Sequence, residues 1–102
     1  MGRIFVLAEE EIVILFGLLG IEGIILENPL EFYIEFERVI QDPQVELIII
    51  SENIFEQNLQ LLLDFKVSRN KPIIIEVPNF IKKEKREDLI RKLVTKYLGG
   101  RF

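Results

Sequence analysis

Four short apolar runs, each followed by polar residues, recur along the 102-residue chain. Arg3–Leu7, Gly23–Leu26, Val45–Ile50 and Ile73–Val77 are rich in isoleucine and lack a strict alternation of apolar and polar positions. Runs of this length and composition are typical of parallel strands that are covered on both faces. The intervening segments are long enough for helices, so the pattern predicts an α/β domain in which strands and helices alternate.

Polar residues mark the beginnings of the predicted helices. The glutamates at 9–11 complement the dipole of a first helix, predicted from Ile12 to about Leu19 and apolar nearly all round. Asn28-Pro29 is an N-cap followed by a first-turn proline, and it opens a second helix that ends near Gln41. The predicted core face of this second helix comprises Phe32, Tyr33, Phe36, Val39 and Ile40.

The third predicted helix, about Ile54 to Val67, carries more apolar surface than one sheet contact requires. It follows the capping sequence Ser51-Glu52-Asn53. Its predicted core face comprises Phe55, Leu59, Leu62 and Leu63, and a second stripe comprises Ile54, Leu61 and Phe65. The width of this apolar arc indicates contact with a partner.

The chain divides into three predicted parts. Residues 1–78 form a doubly wound α/β domain, 79–86 a polar hinge, and 87–102 a C-terminal amphipathic helix and tail. The predicted fold is a three-layer α/β/α sandwich of the flavodoxin and receiver type. Its four-stranded parallel sheet has the order 2-1-3-4, and functional loops are expected at the carboxyl ends of the strands.

Composition narrows the range of functions. The net charge of −4 argues against nonspecific nucleic-acid binding as a main activity, and the basic residues are concentrated late in the chain. With no cysteine and no histidine, the chain has no thiol redox chemistry and lacks the usual zinc ligands. No run of about 18 apolar residues is present, so we expect a soluble intracellular domain with no cofactor and no membrane insertion.

Candidate chemical groups have simpler structural interpretations. Receiver domains carry metal-binding acids where this chain has residues 9–11, but the third strand here ends in Ile50-Ser51 without their phosphoacceptor aspartate. Helix opening is therefore favoured over a divalent-metal site. Ser51 is better explained as an N-cap than as a nucleophile, because no base accompanies it. Glu76 pairs with a late basic residue or marks the rim of the sheet.

Four blocks of sequence together resemble a known family. They are Asn28–Glu31, Val45–Ile54, Lys71–Pro78 and Asp88–Val94, in that order. The second is similar to the block Val-Gly-Ile-Ile-Leu-Ile-Thr-Glu-Asp-Ile, and the third is similar to a Pro-x-x-x-Glu-x-Pro pattern. Both patterns are typical of the F subunit of the V-type and A-type ATP synthases. This chain departs from the family pattern in its first helix, where Ile12, Ile14 and Leu15 replace two threonines and a glycine.

The resemblance implies a non-catalytic role in the central stalk, or rotor, of a V/A-type ATPase. The F subunit of that family binds the coiled-coil D subunit of the rotor inside the catalytic headpiece, on the cytoplasmic side and peripheral to the membrane. It helps to couple ATP synthesis and hydrolysis to ion transport, including hydrogen ion transport. On this basis the expected partner-binding residues are Ile14, Leu18, Ile54, Leu61, Phe65, Leu89, Leu93 and Tyr97.

Two alternatives remain open at this stage. One is a receiver-like signalling or small-ligand-binding domain that lacks a phosphoacceptor. The other is a small βα enzyme, which would need an acid–base pair that the sequence does not provide.

Overall fold

Four parallel strands form one sheet in the order β2-β1-β3-β4. A computed structural model of the chain describes residues 2–78, 91–92 and 94–96. The strands are β1 (Arg3–Ala8), β2 (Glu22–Ile25), β3 (Val45–Ser51) and β4 (Ile73–Val77). The predicted strand order and the parallel pairing are both confirmed.

Helices connect the strands and lie on both faces of the sheet. They are α1 (Glu10–Gly17), α2 (Pro29–Ile40), α3 (Glu52–Gln57) and α4 (Leu59–Ser68). Residues 91–92 and 94–96 are also helical, inside the predicted C-terminal helix. The predicted hinge at 79–86 lies outside the described residues, and the division into three parts stays a prediction.

The start of α2 has the predicted capping geometry. Asn28 has an extended backbone, and its side-chain oxygen accepts a hydrogen bond from the backbone N–H of Leu30 at 3.0 Å. Pro29 occupies the first turn, where a missing N–H costs nothing. The local sequence alone therefore fixes where this helix begins.

The segment predicted as the third helix is helical except at Asn58, so the structure has two short helices where one was predicted. Asn58 separates α3 from α4 with φ −126° and ψ 30°, and its side-chain amide donates to the carbonyl of Ile54 at 3.0 Å. Asparagine side chains compete with the backbone for such hydrogen bonds and so interrupt helices.

The larger core lies between the sheet and α2, α3 and α4. Phe32 and Phe36 stack with ring centroids 5.1 Å apart, and Phe65 meets Phe36 edge-on at the same distance. These contacts join α2 to α4. The buried residues of this core include Phe5, Leu7, Leu26, Val45, Ile48, Ile50, Phe55, Leu62 and Ile74.

The smaller core lies on the opposite face, under α1. Its buried residues are Val6, Ala8, Ile12 and Ile49. Gly23 permits this packing, since a Cβ atom at position 23 would lie 3.0 Å from the carbonyl oxygen of Val6 and 3.1 Å from Cγ1 of Val13. The close approach places α1 over β1 and β2.

Candidate partner interface

One half of the sheet face that carries α1 is left without a helix among the described residues. Strand register places Val6, Ile49 and Ile75 in one row, so Ile75 lies on the same face as α1. Ile73 is 57 % exposed and Ile75 is 43 % exposed. The interpretation of β4 as a strand covered on both faces is therefore wrong for the described part of the molecule.

The geometry of the layer explains this exposure. A helix is about 10 Å across, and neighbouring strands lie about 4.8 Å apart, so one helix covers about two strands. α1 packs over β2 and part of β1 and buries Ile49 of β3, and no helix among the described residues covers the rest of this face. We call this uncovered part the bare sheet face, and it comprises Ile4 of β1, Leu47 of β3 and Ile73 and Ile75 of β4.

The flank of α1 borders the bare sheet face. Val13 lies against Gly23 of β2, on one side of the buried Ile12. At 100° per residue, Leu15 and Leu18 lie on the other side, toward β3. Leu18 and Ile14, both predicted as partner residues, are half-buried in the chain. Their contact with a partner stays a prediction.

The predicted core face of the third helix is confirmed for Phe55 and Leu62, which are buried, and wrong for its other two residues. Ile54 and Phe65, expected to contact a partner, lie in the larger core with only 7 % and 8 % of their surface exposed, and Leu61 packs half-buried against that core. Leu59 and Leu63, expected in the core, are 46 % and 44 % exposed. At 100° per residue Ile54, Phe55, Leu61, Leu62 and Phe65 fall on one side of the segment and Leu59 and Leu63 lie beyond its edge, so the prediction placed the centre of the core face too far round.

The predicted partner residues of the C-terminal helix are not tested by the structure. Leu89, Leu93 and Tyr97 lie outside the described residues, and their part in binding stays a prediction.

Tyr33, expected on the core face of α2, is 56 % exposed and lies beside Ile34. Sequence periodicity did not predict the exposure of Tyr33, because α2 is apolar on two adjoining sides.

The carboxyl edge of the sheet carries the candidate chemical groups. The hydroxyl of the fully buried Ser51 donates a hydrogen bond to the carboxylate of Glu9. Ser51 stands at the N-cap position of α3, as predicted, but its side chain accepts no hydrogen bond from a backbone N–H. The predicted side-chain cap is therefore wrong. Glu76 is exposed on β4, in agreement with a place at the rim.

The same edge contains a cleft of about 420 Å³. Its walls come from the loops after β1 and β2 and from α3. The lining residues are Glu9, Leu26, Glu27, Asn28, Phe32, Asn53, Ile54, Glu56 and Gln57. Within residues 2–78 and the described helical residues beyond them, no group of three acidic side chains is placed to hold a metal ion.

Comparison with known proteins identifies the family. The sequence profile of the ATP synthase (F/14-kDa) subunit matches residues 4–94. The chain belongs to this family. It is also 29 % identical over 96 residues to the F subunit of the A-type ATP synthase of Thermoplasma acidophilum, a match that covers 94 % of this chain and 90 % of that protein.

Family membership confirms the resemblance noted in the sequence. The chain is a subunit of the V/A-type ATP synthase class, whose work is ATP synthesis and ion transport. The match includes β2, β3, β4, all of β1 except Arg3, and the whole bare sheet face. None of the helices described is long and apolar enough to cross a membrane.

Proposed function

We propose that this protein is a non-catalytic subunit of the central stalk of a V/A-type ATPase. It binds the coiled-coil D subunit of the rotor and transmits rotation, which couples ATP turnover in the headpiece to ion transport. Its place is on the cytoplasmic side, peripheral to the membrane. The observation that carries the proposal is the family match over residues 4–94.

The bare sheet face is the docking surface that we propose for the rotor. A coiled coil presents long helices, and the bare sheet face, as far as the described residues show it, is about as wide as one helix. Ile73 and Ile75 offer branched apolar side chains to it, and burial of such side chains is the main favourable contribution to association. Leu18 at the end of α1 borders this surface, whereas Ile14 lies on the side of α1 away from the sheet and would contact a partner there.

A structural role for Ser51 supports the non-catalytic proposal. Its hydroxyl is fully buried and already donates to Glu9, so it is not presented to a substrate. The hydrogen bond instead links the end of β3 to the residue that follows β1. This arrangement fixes the carboxyl edge of the sheet.

The first prediction concerns binding to the D subunit. We expect the chain and the D subunit from the same genome to co-purify as a stable one-to-one complex in size-exclusion chromatography with measured mass. The double substitution Ile73→Ser and Ile75→Ser should weaken binding by about 30- to 1,000-fold, because central apolar side chains contribute on the order of 1–2 kcal/mol each.

The matched control is Leu30→Ser. Leu30 is 79 % exposed on α2, which packs on the opposite face of the sheet, so its substitution should leave binding unchanged. Circular dichroism of each isolated variant verifies that the fold is retained. Separation of the two wild-type proteins at micromolar concentration would contradict the proposed function. Equal binding by wild type and the Ile73/Ile75 variant would contradict only the docking surface.

A further inference from the structure

We draw no further inference here: the strongest candidate, the exposed apolar face of α2 that comprises Leu30, Tyr33 and Ile34, is an unpartnered helix surface, and nothing in the structure shows what covers it.

Discussion

Phe65 and Val67 stand two positions apart on α4 and have opposite environments. Phe65 is 8 % exposed and packs edge-on against Phe36, whereas Val67 is 89 % exposed. The guanidinium group of Arg69 lies 5.3 Å from the centre of the Phe65 ring and covers its outer side. Phe65 therefore stabilises the fold, and it is not free to bind a partner.

A prediction at this scale follows from the burial of Phe65. Phe65→Ala should lower the free energy of unfolding by about 3–5 kcal/mol, because it removes buried surface and leaves a cavity between α2 and α4. Val67→Ala, the matched control, should change it by less than about 0.5 kcal/mol. Urea denaturation followed by circular dichroism measures both. Equal, small effects would mean that Phe65 lies on the surface.

Among the elements, α2 follows most directly from its sequence. Asparagine followed by proline is a local signal, and the N-cap hydrogen bond at 3.0 Å depends only on the neighbouring backbone. The break at Asn58 was missed because periodicity does not reveal an asparagine that interrupts an apolar pattern. The exposed side of β4 was missed because isoleucine runs indicate burial, whereas coverage by a helix depends on where α1 packs.

The side-chain cap at the beginning of α2 should contribute to stability. Asn28→Ala should lower the free energy of unfolding by about 1 kcal/mol, because the N–H of Leu30 loses its acceptor. Asn28→Asp keeps an acceptor at this position and should cost much less. Chemical denaturation of the three proteins under the same buffer tests this point. If alanine and aspartate cost the same, the side-chain cap contributes nothing.

For the molecule as a whole, the sequence predicted the sheet order but only part of the candidate interface. Strand order follows from the lengths of the connections and from the handedness of parallel crossovers. The interface depends on which strands are left uncovered, and that is a property of the assembled layers. Ile73 and Ile75 therefore became candidates only with the structure, whereas Ile14 and Leu18 were already candidates from the pattern of α1.

A prediction at this scale links stability to assembly. A partner that binds only the folded chain raises the free energy of unfolding by about 2.7 kcal/mol when its free concentration is 100 times Kd. We therefore expect the midpoint of urea denaturation to rise with the concentration of the D subunit. The Ile73→Ser and Ile75→Ser variant should show a much smaller rise. A midpoint that does not change when this partner is saturating would contradict the proposed docking.

The pairing of β1 with β3 also imposes an order of events on the newly made chain. Leu7 and Ile50 are register partners although they stand 43 positions apart. At about 5–20 residues per second, the ribosome needs roughly 2–10 s to add the residues between them. During that interval β1 cannot pair with β3, because β3 has not been synthesised. The apolar side chains of β1 are then not yet buried by this neighbouring strand. The amino-terminal quarter of this protein is therefore the part most in need of protection during synthesis.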